Sequence, residues 1–309
     1  MVNDLTNSIR AAVHALIEAT PEGVTTEELV DFGFADLLEE DPQLAVSGFF
    51  EEAGRMAAAT AGLGILAHWT TSDTVAENPA LTLALTQGLY GVVLGPRETG
   101  TRFLAVDVES RRGWLFDAPE SLGRRVNGIA PANGLVEVAI PNADPETTLS
   151  SDVARRVVDN LLRAVAYQLV GLGTRMLEIS IEHVSNRIQF GRAIGVNQTV
   201  QHRLADVHVA LEGTRAALEA TWEDDGSLLI AVAHSRANEA ADLAVRHSLQ
   251  VCGGMGFTED FALAPLVRQT LLLSGLFDAT NHVGRELRAH LTSAGRVPRL
   301  GQMSKIRTA

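Results

Sequence analysis

Two short segments of this 309-residue chain carry residue types that could do chemistry. The first is Arg187-Ile188-Gln189-Phe190-Gly191-Arg192-Ala193-Ile194-Gly195, followed by Asn197, Gln198 and then Gln201-His202-Arg203-Leu204-Ala205-Asp206. It is a basic, glycine-bearing loop between two stretches of helical periodicity, with a helix start just after it. Such a loop suits an anion, because arginine gives charge-assisted hydrogen bonds and a helix N-terminus offers free N–H groups. It also reads as a plain helix–helix turn with solvated arginines. The second segment is Gln250-Val251-Cys252-Gly253-Gly254-Met255-Gly256-Phe257-Thr258-Glu259. Three glycines in four residues end an apolar helix. Glycine admits positive φ and lets a phosphate lie against bare backbone. A helix C-cap plus turn is the alternative reading.

Other chemistry is not signalled. No G-x-G-x-x-G follows a strand, and the P-loop, H-E-x-x-H and G-x-S-x-G patterns are missing. The nine histidines are scattered, and His183, His202, His208, His234, His247 and His282 fall in helical stretches without ligand spacing, so no metal site is expected. The formal charge of −13 repels a phosphate backbone and argues against nucleic acid. A phosphorylated ligand would need a local basic pocket set against that field. The single cysteine, Cys252, excludes an intrachain disulfide framework and fits a reducing, cytoplasmic compartment. Residues 1–10 carry Asp4 and polar side chains, unlike a signal peptide. No apolar run approaches the roughly 18 residues of a membrane span.

The elements around the two segments follow from periodicity. Residues 5–76 read as helical, with Ile9, Val13, Leu16 and Ile17 on one stripe and Phe49, Phe50, Ala53, Met56 and Ala57 on another. Thr20-Pro21-Glu22-Gly23 and Asp41-Pro42 break that stretch, and Thr25 followed by Glu27 and Glu28 predicts a helix start. Residues 89–94 and 103–108 are β-rich and predict a hairpin around Pro96–Gly100, with further strands at 114–116 and 135–140. Past Ser150 the pattern is helical throughout, with helices over about 151–190, 197–222 and 228–252 and one or two more to about 291. An antiparallel four-helix bundle is the economical packing. The fold class expected is mainly α with a small β domain. The domains expected are N-terminal helices at 1–78, a reduced β domain at 79–148, a bundle at 149–292 and an exposed tail at 293–309.

Taken together, the two segments resemble the acyl-CoA dehydrogenase family. That family carries R-x-Q-F-G-x-x-I-G, then Q-x-x-Q-H-x-L-A-D, then Q-x-x-G-G-x-G-[FY]-T, and this chain has them in that order. The resemblance covers about residues 150–291. It implies FAD held between subunits. It also implies that Arg187, Gln189, Phe190 and Gln198 contact the adenosine diphosphate half of the cofactor, with Gln250, Gly253 and Gly254 reaching it from the other side of the interface.

The chain departs from the family in two ways. The family's base is a glutamate in an E-G-T segment after the glycine loop, where this chain has Leu276-Phe277-Asp278-Ala279-Thr280. Asp278 is one methylene shorter, and its spacing from Arg268 is one residue longer than the family's; it reads either as a stand-in base or as a cap of the last helix. Some relatives carry the base on the first bundle helix, where the matching stretch is Asp159-Asn160-Leu161. The second departure is length: typical members run longer, and the strand that contacts the flavin ring has only a faint echo at residues 83–88. This combination resembles the smaller subunits of α2β2 acyl-CoA dehydrogenases of actinobacterial steroid catabolism. The resemblance implies a larger partner subunit carrying the base and the flavin-ring pocket, a bulky steroid-derived acyl-CoA substrate and electron-transfer flavoprotein as acceptor. The alternatives are a self-sufficient homotetramer with Asp278 as base, or an assembly subunit without FAD.

Overall fold

A computed structural model describes residues 2–72, 80–85, 90–93, 102–117, 135–139, 148–223 and 226–277, together with residues 126, 128–130, 284, 287, 288, 291 and 292. The chain forms two compact units. One comprises Met1–Ala53 and Ala58–Ala164; the other comprises Gly54–Ala57 and Val165–Ala309.

The first unit opens with five helices: α1 (Val2–Ala19), α2 (Thr26–Asp31), α3 (Phe34–Glu40), α4 (Pro42–Arg55, whose last two residues fall in the other unit) and α5 (Gly62–Thr71). The start of α2 is where the sequence puts it. Thr25 and Glu28 form a reciprocal capping box, satisfying N–H groups that a helix start leaves open. The core is an aromatic cluster of Phe34, Phe49 and Phe50, all fully buried, with ring centroids 4.6, 6.2 and 5.1 Å apart. Gly62 makes this packing possible: a Cβ there would lie 2.6 Å from the Phe49 ring.

Five strands follow: β1 (Ala80–Leu85), β2 (Tyr90–Val93), β3 (Arg102–Asp107), β4 (Arg112–Asp117) and β5 (Val136–Ala139), in the sheet order β4-β3-β1-β2-β5. The hairpin expected between residues 89–94 and 103–108 is not formed. β2 pairs antiparallel with β1 and β5, and β3 pairs parallel with β1. The cause is β1 itself, a strand the sequence reading did not count. Its leucines at 81, 83 and 85 alternate with Ala80, Thr82 and Ala84, a period of two that fits a strand. β1 takes the central position and separates β2 from β3. The expected strand at 114–116 is the middle of β4, and its Phe116 stacks on Phe103 with centroids 5.4 Å apart.

The second unit holds most of α6 (Ser151–Asn186) and all of α7 (Gln198–Glu223), α8 (Ser227–Cys252) and α9 (Leu263–Leu276). These are the expected bundle helices. Small residues set their spacing. A Cβ on Gly173 of α6 would lie 2.8 Å from Leu211 of α7 and 3.5 Å from Ala244 of α8. Ala233, Ala237, Ala240 and Ala241 of α8 are buried, so the helix approaches its neighbours closely. His234 Nε2 meets the Phe277 carbonyl oxygen at 2.9 Å and ties the end of α9 to α8. The expected tail and the last expected helix fall largely outside the described residues. Among the described residues, no helix is long and apolar enough to cross a membrane.

Candidate functional site

The segment around Arg187 is a two-residue β-hairpin, not an irregular loop. Helix α6 closes when the Arg187 N–H donates to the His183 carbonyl. β6 (Ile188–Gln189) then pairs antiparallel with β7 (Arg192–Ala193). Phe190 and Gly191 form the tip, at φ 53° and 79°. Two successive positive φ values are what a tight turn of the twist-matching kind demands. Glycine meets that demand freely, whereas a phenylalanine there is strained. The Phe190 side chain is also fully exposed, at 101%. A ring of this size withholds roughly 1.5–3 kcal/mol of burial while it stays in water. Strain and exposure coincide at this residue.

The hairpin leads straight into α7. Asn197 organises the passage: its Oδ1 accepts from Arg192 Nη2 at 3.1 Å, and its Nδ2 donates to the Ile194 carbonyl at 2.9 Å. Its own carbonyl accepts from the Val200 and Gln201 N–H groups. Gln198 is the exposed first residue of α7. Arg187 is exposed, and among the described residues its guanidinium has no hydrogen-bond or ion-pair partner. The role of Asn197 belongs to no motif in the sequence. Its place between a basic strand and a helix start was the available signal.

The glycine segment ends α8. Gly253 sits at φ 61° and ψ −145°, a conformation essentially closed to other residues, and its N–H donates to the Leu249 carbonyl. A Cβ at Gly256 would lie 3.2 Å from Cys252, so that glycine is there for packing. Gly254 is different. It lacks a positive φ, and a Cβ on it would meet nothing within 4 Å. Among the described residues nothing constrains that position to glycine, and the result is bare main chain. Cys252 is buried, as expected for a small packed residue. Burial pushes its thiol up, against a lowering hydrogen bond from Ser180, so it stays a neutral thiol.

Both segments lie at one end of the helical unit. Ser248 near the end of α8 donates to the Met176 carbonyl of α6 at 3.3 Å. His247 Nδ1 meets the Arg203 carbonyl of α7 at 2.8 Å. A Cβ on Gly195 would touch the Val184 carbonyl at 3.1 Å, and the His183 and Phe261 rings meet edge-on at 5.8 Å. The end of α6, the start of α7 and the end of α8 are therefore neighbours. Arg187, Gln189, Phe190 and Gln198 on one segment, and Gln250, Gly253 and Gly254 on the other, share this end and are all exposed. Phe257, 75% exposed, adds a second uncovered ring there.

The two base candidates fare differently. Asp278 lies outside the described residues. Asp159 is buried, and its oxygens accept from Arg111 Nη1 at 3.0 Å and Arg155 Nη1 at 3.3 Å. That carboxylate is committed to two guanidinium groups.

The order of N-terminal helices, small sheet and helical bundle is that of the acyl-CoA dehydrogenase fold. Residues 153–280 match the family described as acyl-CoA dehydrogenase, C-terminal domain. Among curated proteins, it is 35% identical over 128 residues to L-prolyl-[peptidyl-carrier protein] dehydrogenase of Pseudomonas fluorescens, an alignment covering 38% of this chain and 34% of that protein. It is 31% identical over 119 residues to acyl-CoA dehydrogenase IpdE2 of Mycolicibacterium smegmatis, covering 38% and 37%. These alignments span about a third of the relatives' length. Among solved structures, the Tcur3481-Tcur3483 steroid ACAD is similar with TM-score 0.74 and 18% identity, covering 96% of this chain and 99% of that one. The ChsE4-ChsE5 complex from Mycobacterium tuberculosis follows with TM-score 0.70 and 20% identity, covering 96% and 98%. Acyl-CoA dehydrogenases are FAD-dependent flavoproteins.

Proposed function

We propose that this chain is one subunit of a heteromeric, FAD-dependent acyl-CoA dehydrogenase, and that it supplies the adenosine side of a shared FAD site. The observation that carries this reading is the bare main chain at Gly254, which no packing or backbone constraint among the described residues explains. The residues fit the cofactor. Arg187 offers an unengaged cation for the pyrophosphate, and Gly253 and Gly254 let an anion approach the backbone. Gln189, Gln198 and Gln250 offer amide groups on the same exposed end. Phe190 presents a flat face to the adenine. In this way a chain of net charge −13 holds an anionic cofactor by local groups.

When bound, FAD supplies the two-electron acceptor for α,β-dehydrogenation of an acyl-CoA thioester. The α-proton is taken by a base on a larger partner chain, which also forms the flavin-ring pocket. The reading assigns the partner that role because Asp159 is tied up by two arginines and no Glu stands at the family's base positions in this chain. The assembly proposed is an α2β2 heterotetramer in the cytoplasm, with electron-transfer flavoprotein as acceptor. A bulky steroid-derived acyl-CoA is the proposed substrate, supported by the likeness to a steroid ACAD and to a two-chain complex. In this assembly, residues 1–78, 79–148, 149–292 and 293–309 correspond to the N-terminal helices, reduced β domain, bundle and tail.

Expressing the chain alone and with its genomic neighbour, and recording flavin absorbance per chain, tests the reading. FAD and dehydrogenase activity are expected only in the co-expressed complex. A lone chain that holds FAD and turns over acyl-CoA would instead make it a self-sufficient enzyme with Asp278 as base. A complex that turns over with FAD held entirely by the partner would make this chain an assembly subunit.

A further inference from the structure

Helix α1 is fastened to α4 by two cation–carboxylate contacts one helical turn apart. Arg10 Nη2 lies 2.5 Å from Glu51 Oε2, and His14 Nδ1 lies 2.8 Å from Glu52 Oε1. The two acids are neighbours in sequence, and their side chains are only 3% and 9% exposed. Adjacent buried carboxylates lack water and repel each other, so a cation placed beside either one is stabilising. Arg10 is a permanent cation. His14 is not, and its geometry is telling. The second ring nitrogen, Nε2, lies 3.5 Å from Glu18 Oε1. A neutral imidazole has one N–H and one lone pair. With a carboxylate at each nitrogen, only the doubly protonated ring presents a donor to both. The helices are also in close contact, since a Cβ on Gly48 of α4 would lie 2.9 Å from Ile9 of α1.

We infer that α1 is a proton-dependent clasp: the protonated His14 ring, held between Glu52 of α4 and Glu18 of α1, fastens α1 to α4, and loss of that proton loosens it. The charged groups shown at the contact include Glu51 and Glu52 on α4 and Arg10, Glu18 and His14 on α1. The hydrogen bond to Glu52 raises the pKa of His14 above its ordinary value; burial opposes it, and the charges of Glu52 and Glu18 add to the rise. A raised folded-state pKa means that the contribution is fully present below the unfolded value, about 6.5, and is lost as pH rises through the folded value. The clasp is closed in mild acid and loosens as pH rises through the raised folded-state value.

Amide exchange over residues 2–19 of the full-length chain, measured from pH 6 to pH 8.5 and corrected for intrinsic exchange, tests this. Opening of α1 is expected to rise several-fold across the range while α2 and α3 stay unchanged. His14→Arg, which keeps the cation, is expected to hold α1 closed throughout, with His14→Lys as a second version if arginine does not fit. Glu52→Gln is expected to lower the midpoint of the His14 ring titration read by NMR. Exchange that is flat with pH in the native chain, or a ring midpoint unmoved in Glu52→Gln, would overturn the clasp. So would the same alkaline loss in both cation-keeping variants.

Discussion

Arg55 grips Glu178 with two nitrogens, Nη1 2.8 Å from Oε1 and Nη2 2.9 Å from Oε2. Both residues belong to the helical unit. Burial would raise the pKa of Glu178, but the Arg55 hydrogen bond and charge, with those of Arg175, outweigh it and hold the carboxyl below its ordinary range. A depressed folded-state pKa gives stability that is present above the unfolded pKa and lost as pH falls through the folded one. Arg55→Ala is expected to cost about 0.5–1.5 kcal/mol near neutrality, the pair being partly solvated. The difference from the parent should shrink below about pH 4. Urea unfolding at a series of pH values reads both effects.

Gly54, one residue earlier, has no room for any side chain. A Cβ there would lie 2.1 Å from the Gln168 carbonyl oxygen, a backbone atom that cannot swing away. Gly54→Ala is therefore expected to destabilise the fold by about 1–3 kcal/mol through overpacking. A chemical-denaturation midpoint equal to that of the parent would show that the backbone contact relaxes freely.

Phe190 sets function against stability. Its positive φ is strained, and its ring is fully exposed among the described residues. Phe190→Gly is expected to leave the isolated chain as stable or to stabilise it by about 0.5–1 kcal/mol, because glycine accepts that φ without strain. The same change should weaken FAD retention in the complex. Thermal unfolding of the lone chain and flavin content of the complex are the paired readouts. A stability loss above about 1 kcal/mol would show that the ring packs where the structure leaves it bare.

Asp159 is expected to behave as a structural ion pair. Removing it takes a carboxylate away from Arg111, whose side chain is 13% exposed, and from Arg155. Asp159→Ala is expected to cost about 3 kcal/mol or more, the usual result of breaking a buried pair from one side. A stable Asp159→Ala complex without turnover would instead make this residue the base.

The helical half was legible because its signals are local. Thr25 and Glu28 announce the α2 cap, and Gly226 and Gly253 bound α8 where the apolar period stops. The candidate site was legible as a pair of motifs, since arginine and glycine types carry the anion-binding logic in the sequence itself. The sheet was not. Strand order is set by pairing between distant residues, so β1 entering between β2 and β3 leaves no mark at the Pro96–Gly100 turn that suggested a hairpin. The distinction between Gly254 and Gly256 was equally hidden. Both are glycines in one short run, and only packing shows that Cys252 crowds one while open space faces the other.

That open space gives the most direct measurement. Gly254→Leu, assembled with the partner chain, places a side chain where the account puts the cofactor, without crowding anything in this chain. The account predicts an unfolding midpoint within about 0.5 kcal/mol of the parent, as for a surface change. It also predicts FAD affinity reduced by about tenfold or more, a loss of at least about 1.4 kcal/mol. A Gly254→Leu complex that folds normally and keeps its full complement of FAD at the parent affinity would contradict it.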